Sequence, residues 1–396
     1  GVWESISQET VENVASSFAG SQTGPTCKPL SLNDGALRGA ARILKNTLIA
    51  RDDRVLFSQA RPGVAFSNGF VSLQGGKLTL SPHDHENAAR HAFPFAYDPS
   101  ARHEKLDEFF DQIFANVTEE ERSGLVMMLQ EFIGACLTGI VTKYEKALYL
   151  YGVGGNGKSQ VIEIVRACFP SSAIGCVTPA DFGERFRVSQ LVGKQINICS
   201  EISDDRDIVS GDSYKAIISG EIVQAEHKHK DPFDMRPVAG HLMSANGLPP
   251  TTDFSPGLWR RNMVVVFSRR MDLAEGTRIG AANEIIRDEL AGVLAWALRG
   301  AARLQSAGKY TVSETSKEAV AEWRRDVDPV MTWLDAAYPG ESYNVAVSTM
   351  YEQFSRWASD NGYLKMTSNK FGRRVKATGK WRRDHTRLGD VYIKPM

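Results

Sequence analysis

The sequence predicts an α/β multidomain protein organised around a parallel sheet, and three observations predict it. Between Lys146 and about Arg269, four short apolar runs alternate with stretches of helical periodicity: Leu148–Tyr151, Gln195–Cys199, His241–Ser244 and Met263–Phe267. That is the pattern of parallel strands joined by helical crossovers. The first run passes through Gly152-Val153-Gly154-Gly155-Asn156-Gly157-Lys158-Ser159 into a helical pattern beginning at Gln160, a glycine-rich turn from strand to helix. Finally, 396 residues are more than one ordinary core holds, so two or three cooperating units are expected.

Residues 1–99 read as a small α+β accessory module. A helical stretch (Leu37 to Ile49) is followed by strand-like runs at Val55-Leu56-Phe57, Phe70-Val71-Ser72-Leu73 and Lys77-Leu78-Thr79-Leu80, separated by Pro-Gly, Asn-Gly and Gly-Gly turn signals. Residues 100–144 read as a helical, collar-like segment. Its apolar residues (Leu106, Phe109, Phe110, Ile113, Phe114, then Leu125, Met128, Leu129, Phe132) recur at helical spacing, with a break near Asn116-Val117-Thr118 and an N-cap with acidic first turn at Thr118-Glu119-Glu120-Glu121. The nucleotide-binding core is placed at 145–275 and a helical lid or linker at 276–327, with periodicity from Ala281 to Leu304. The last unit, 328–396, offers a helix (Val347 to Ser359), a stop at Asp360-Asn361-Gly362, a second helix (Ser368 to Ala377) and a basic hairpin ending Val391-Tyr392-Ile393. Helix, helix, then wing is the order of a winged-helix domain.

The chemistry begins at the glycine-rich turn. Glycines let backbone N–H groups close around phosphate oxygens, Lys158 reaches the β/γ-phosphates, the Ser159 hydroxyl ligates Mg²⁺, and the following helix adds its positive dipole end. Gly152, Gly154, Gly155, Asn156, Gly157, Lys158, Ser159 and Gln160 are therefore the expected ATP contacts. An acid at a neighbouring strand end is needed to hold Mg²⁺ or polarise the attacking water. Glu201, directly after the apolar run Ile196-Asn197-Ile198-Cys199-Ser200, supplies it; Asp204 and Asp205 read as a solvated turn. A third strand ends at Asn246, whose amide can bond both a γ-phosphate and a water. Arg260 and Arg261, before the strand at Met263, offer the guanidinium that neutralises charge on a transferring phosphoryl, often supplied by another subunit. Arg261 is the first choice.

Composition narrows the partners. Lys+Arg and Asp+Glu balance at 47 each, so any nucleic-acid affinity has to come from local patches. One is Lys228-His229-Lys230, inside Gln224 to Phe233. A second is Arg185-Phe186-Arg187, where Phe186 could stack on a base or pack in the core. The third is the run Lys370, Arg373, Arg374, Lys376, Lys380, Arg382, Arg383, Arg387. His83-Asp84-His85 reads as a surface turn. Cys27, Cys136, Cys168, Cys176 and Cys199 lie singly, without zinc spacing or disulfide density, which points to a reducing, intracellular home. No apolar run is long enough for a membrane span. The opening Gly-Val-Trp suggests a piece of a longer polypeptide.

Loop, acid, asparagine and arginine in this order resemble the superfamily 3 helicases, a branch of the AAA+ ATPases, and more narrowly the primase-helicases of phages, plasmids and poxviruses. Pro62 to Gly69, Phe95 to Pro99 and Leu129 to Gly134 resemble the segment before the ATPase in that family, and Met350 to Phe354 with Trp357 and Phe371 to Val375 resemble its winged helix. The resemblance implies a hexameric ring that hydrolyses ATP between subunits and moves 3′ to 5′ on single-stranded and forked DNA. It implies that Lys158, Ser159, Glu201 and Asn246 serve one subunit's nucleotide and Arg261 its neighbour's, and that a primase is the usual N-terminal partner. It also implies a channel hairpin at Lys228, His229 and Lys230, while the basic tail, Arg373, Arg374, Arg382 and Arg383 above all, would meet duplex backbone. Ser200 stands where several members carry a second acid. The same motifs would also fit an origin-binding initiator, or a nucleotide-stabilised DNA-binding scaffold.

Overall fold

The computed structural model describes residues 8–17, 21, 33, 35–40, 42–43, 60–202, 209–251, 253–271, 280–340, 342–363, 365–387 and 389–395. Val55–Phe57, Asp204, Asp205, Cys27 and most of the second half of the stretch Leu37–Ile49 lie outside the described residues.

After helix α1 (Gln8–Ser16) comes a four-stranded sheet of β1 (Gly63–Phe66), β2 (Gly69–Gln74), β3 (Lys77–Ser81) and β4 (Ala92–Phe93), ordered β3-β2-β1-β4. The Gly75-Gly76 turn joining β2 to β3 has positive φ at both residues (56° and 76°), the left-handed backbone that suits the twist of a two-residue hairpin. β4 pairs in parallel with β1 through Ala65↔Ala92 and Phe66↔Phe93. Asn68 then clamps the chain beyond it: its Nδ2 donates to Tyr97 O (3.1 Å) and its Oδ1 accepts from Tyr97 N (2.9 Å). Phe66 packs 5.4 Å from Phe93 and 5.3 Å from Tyr97. The two distant segments Pro62–Gly69 and Phe95–Pro99 are thus one packed unit.

Helices α2 (Glu104–Ile113) and α3 (Glu119–Thr138) break where the sequence breaks, with Thr118 Oγ1 accepting from Glu121 N. The chain next builds β5 (Ala147–Tyr151), α4 (Lys158–Ala167), β6 (Ile174–Gly175), α5 (Arg185–Val188), β7 (Ile196–Ile202), α6 (Gly211–Ile218), the hairpin β8 (Val223–Ala225) and β9 (Phe233–Met235), β10 (Gly240–Ala245), α7 (Pro256–Trp259) and β11 (Asn262–Val266). Five of these strands form one parallel sheet in the order β11-β5-β10-β7-β6.

Alternation along the strands feeds two cores. Leu148, Leu150, Ile196, Ile198, Leu242, Met263 and Val265 face α3, α4 and the long helix α8 (Ala281–Ala307), whereas Ala147, Tyr149, Cys199, Met243, Ala245 and Val264 face α6 and α9 (Glu314–Val327). A parallel sheet covered on both faces requires such unbroken apolar strands. Its outer strand β11 is capped by α9: Ser316 Oγ accepts the Val264 N–H at 3.0 Å, while Trp323 meets Tyr149 and Trp259 edge-on, 5.0 and 5.4 Å between centroids. That blunts an edge which would otherwise present an unpaired donor.

The segment Leu129 to Gly134 explains itself where α3 crosses α8. A Cβ on Gly134 would overlap Ala297 O, and one on Gly300 would overlap the Gln130 carbonyl, so the backbones touch. Glu131 is buried and accepts from Arg303 Nε (2.8 Å), Thr311 N (2.7 Å) and Thr311 Oγ1 (2.8 Å); Gln130 bridges Arg303 Nη2 and Trp296 O. A buried carboxylate is tolerable because its oxygens are met this fully.

The last unit contains α10 (Pro329–Ala337), β12 (Tyr343–Ala346), α11 (Val347–Asp360), α12 (Ser368–Ala377), β13 (Arg382–Thr386) and β14 (Gly389–Lys394), with sheet order β12-β14-β13 around Trp333, Phe354, Phe371, Trp381 and Tyr392. The two expected helices and the hairpin form. Unforeseen are α10, which Asp328-Pro329 opens with the Asp328 carboxylate accepting from Val330 N (2.9 Å), and the short strand β12. No helix of the described residues is long and apolar enough to cross a membrane.

Candidate active site

β5 ends at Tyr151 and the chain turns through Gly152–Gly157 into α4. Gly152, Gly155 and Gly157 take φ of 151°, 75° and 93°. Gly152 and Gly157 are also crowded: a Cβ would overlap Phe267 O at the first and stand 2.9 Å from Ile113 Cγ2 at the second. Asn156 is buried and its Nδ2 donates to Phe267 O (2.9 Å), while Met271 N donates to Gly155 O (2.6 Å). The turn is therefore pinned to the chain beyond β11, and Val153, Gly154 and Gly155 form its exposed crest. Lys158 Nζ donates to Gly152 O, Val153 O (3.0 Å) and Asn156 Oδ1 (3.2 Å), and burial lowers its pKa. Ser159 is exposed in the first turn of α4, whose N–H groups have no intrahelical acceptors and carry the positive dipole end. Such a turn suits an anion. Gln160 Oε1 accepts from Ala282 N (2.9 Å), which ties the first turn of α4 to the start of α8.

The sheet register brings two further residues to the same edge. Tyr151 pairs with Ala245, and Ala245 with Ile202, so Asn246 leaves β10 beside Gly152, and Glu201, the penultimate residue of β7, lies at the same edge one strand further on. Asn246 is exposed, and the preceding Ala245 O accepts from Gly152 N (3.3 Å). Between Cys199 and Ile202, β7 holds one residue more than β10 does between Met243 and Ala245, a bulge at Ser200-Glu201. After β5 the chain crosses to the far side of β10, and after β10 it returns past β5 to β11, which makes the carboxyl ends of β5 and β10 a topological switch point where ligands of open α/β sheets bind.

Arg260 and Arg261 lie at the opposite edge. They precede β11 as Glu145 and Lys146 precede β5, and Ala147 N donates to Arg261 O (2.8 Å). At about 3.3 Å per residue the length of β5, roughly 15 Å, separates them from the glycine turn. Arg261 is buried, its Nη1 donating to Gly257 O (2.6 Å), its Nε and Nη2 to Ser219 Oγ (3.0 and 2.7 Å), with Nη2 also 3.0 Å from Glu145 Oε2. Within the single chain the Arg261 guanidinium, expected as the one offered to a neighbour, is engaged by Ser219, Gly257 and Glu145. Arg260 is exposed and meets the same Glu145 oxygen at 2.6 Å.

Among the basic candidates, Lys228, His229 and Lys230 are exposed at the tip of the β8–β9 hairpin, with His229 at φ 63°. Glu226 N donates to Arg185 O (3.2 Å), which sets the hairpin beside α5. Phe186 there is 49% exposed, so it is a surface ring and not a core one. Arg373, Arg382 and Arg383 are exposed, Arg383 pairing with Asp390. Arg374 differs from them. It is buried, its Nη2 lies 3.0 Å from Asp328 Oδ1, and its guanidinium stacks 3.4 Å from the centre of the Phe254 ring. Its place in a basic run concealed this, as nothing local marks Phe254 or Glu145 as partners.

Residues 325–396 match a family described as Poxvirus D5 protein-like. Residues 150–261, from the end of β5 to the arginine pair, match a family described as Family of unknown function (DUF5906). The chain is similar to the solved "A form apo structure of NrS-1 C terminal region-CTR" at 13% identity and TM-score 0.43, over 87% of this chain and 98% of that one. It is similar to "The apo structure of NrS-1 C terminal region (305-718)" at 12% identity and TM-score 0.39, over 86% and 97%.

Proposed function

We propose that this chain is the ATP-driven motor of a replicative DNA helicase of the superfamily 3 type, the helicase portion of a primase-helicase, working as a ring on single-stranded DNA. One observation carries the reading: the glycine turn, Asn246 and Glu201 leave one edge of a parallel sheet, and the arginine pair leaves the other. A phosphate held at the turn is out of reach of Arg260 and Arg261 of the same chain, so either of these two acting there would come from a second copy. The match of residues 325–396 to the Poxvirus D5-like family supports the same reading for the last unit.

In this mechanism the P-loop, Gly152–Ser159, cradles the ATP phosphates with backbone N–H groups, and Lys158 leaves the loop carbonyls for the β/γ-phosphates. Mg²⁺, held by Ser159 and Glu201, would neutralise the β- and γ-phosphate oxygens. Glu201 orients the attacking water and Asn246 reads the terminal phosphate. Arg260 of the adjoining copy replaces Arg261 as the group that stabilises the transferring phosphoryl; Arg261 holds Glu145, α7 and the start of β11 in place. Lys228 to Lys230 grip the DNA backbone, and the winged helix of residues 328–396 meets duplex through Arg373, Arg382 and Arg383.

The test is complementation. Lys158→Ala and Arg260→Ala should each lower ATP hydrolysis and fork unwinding by roughly a thousandfold. Mixed, the two variants rebuild intact sites wherever an Arg260→Ala protomer supplies Lys158 and a Lys158→Ala protomer supplies Arg260, and activity should return in part. Undiminished unwinding by Lys158→Ala, or no recovery on mixing, would sink the reading.

A further inference from the structure

The seam between the last unit and the rest of the chain is crossed by two arginine side chains, Arg324 and Arg374. On one side lie the end of α9 and the segment Pro249 to Trp259, which leads from Asn246 to Arg260; on the other lie α12 and the start of α10. Trp323 Nε1 donates to Pro249 O (2.8 Å) on the near side, and two contacts cross: Arg324 Nη2 donates to Ala377 O (3.1 Å), and the Arg374 guanidinium, 3.0 Å from Asp328 of its own unit, stacks on the Phe254 ring. Arg324 Nε and Arg374 Nε, on the two side chains that cross the seam, are buried with no hydrogen-bond partner among the described residues. Each such atom costs the closed arrangement desolvation that it does not recover. The ion pair itself is costly too, since burial pushes the Asp328 carboxyl up and the Arg374 guanidinium down despite their mutual attraction. A polar seam with unmet donors is one that separates.

Arg374 is also the exception on its helix. Lys370, Arg373 and Lys376 on α12 point to solvent, as do Arg382 and Arg383 beyond it, while Arg374 alone among these is withdrawn. Asp328 would not be stranded by its departure, because the carboxylate still accepts from Val330 N and Met331 N at the start of α10.

We propose that Arg374 is a clasp: positioned by Asp328 of its own unit and stacked on Phe254, it holds the last unit against the segment between Asn246 and Arg260, and a DNA phosphate takes it over when the unit undocks. The closed form therefore withholds one cation from the DNA-binding face and restrains the segment that links the two halves of the nucleotide site. This rests on the DNA-binding reading above.

The experiment measures binding of a forked duplex by fluorescence anisotropy across a salt series, with the full chain and two variants. Phe254→Ala removes the stack without touching the basic face. It should bind roughly three- to thirtyfold tighter than the parent, the range of one desolvated cation–π contact, with an unchanged salt slope. Arg374→Gln should lower the salt slope by about one, and Phe254→Ala/Arg374→Gln should lose the gain in affinity. Hydrogen exchange without DNA is the second readout, and Phe254→Ala should raise exchange in residues 368–377 while the strands of the central sheet stay protected. A parent chain with no affinity for the fork would overturn the DNA reading and the clasp together. A parent that binds, with Phe254→Ala no tighter, Arg374→Gln of unchanged slope, or exchange in 368–377 unaltered, overturns the clasp alone.

Discussion

At the scale of single residues, burial redistributes roles that charge alone assigns. Arg260 and Arg261 are equivalent in sequence, yet Ser219, Gly257 and Glu145 consume one guanidinium and leave the other in solvent. His241 gives a pH-dependent case. It is buried in β10 with Asn197 Nδ2 3.2 Å from its Nδ1 and the Phe182 ring 5.0 Å away, and burial lowers its pKa to about 3. Above the ordinary value near 6.5 both folded and unfolded chains hold it neutral. As pH falls below that value the unfolded chain binds a proton that the folded chain refuses, so stability is lost progressively down to about pH 3. Between pH 6.5 and 5 the loss from this residue is about 2 kcal/mol. Urea unfolding of the parent and of His241→Gln should differ in pH dependence by that amount; parallel curves would contradict it. The loop glycines were legible residue by residue, because G-x-x-x-x-G-K-S is local chemistry. The partners of Arg261, Gln160 and Arg374 were not, since Ser219, Ala282 and Phe254 are 42, 122 and 120 positions away in the chain.

At the scale of elements, periodicity located the pieces and caps set their ends. α12 begins and ends at the residues read from the sequence, and Thr118 caps α3 as expected. α10 and β12 escaped because a two-turn helix and a four-residue strand carry too little pattern to stand out from loop. The motif Leu129 to Gly134 was visible as a run of residues but not as a crossing. Its meaning lies in Gly134 against Ala297 O and in Glu131 between Arg303 and Thr311. Gly134→Leu forces α3 off α8 and should lower stability by about 3 kcal/mol or more, read as a fall in the urea midpoint. Gly139→Ala in the same helix's left-handed C-cap, where no atom lies within 4 Å of a new Cβ, should cost only about 1 kcal/mol. Equal losses at the two glycines would refute the close crossing.

At the scale of the whole molecule, the order β11-β5-β10-β7-β6 decides what the local motifs can do together. It puts the turn, Asn246 and Glu201 at one edge and the arginine pair at the other, so that in the proposed mechanism the arginine comes from a second copy. ATP hydrolysis stimulated by single-stranded DNA should accordingly appear in the assembled fraction of a sizing column and be absent from monomer; equal activity in both would show that one chain suffices. The sequence by itself determined the glycine turn, the apolar strands and most helices. Those depend on backbone conformation and side-chain spacing over a few consecutive residues, which no distant contact has to supply. Only the tertiary structure decided which strand ends share an edge, which of two adjacent arginines is exposed, and that Arg374 turns inward. Each of these is set by strand register or by burial against a residue far off in the chain, and a charge or an apolar letter reads the same on either side of such a contact.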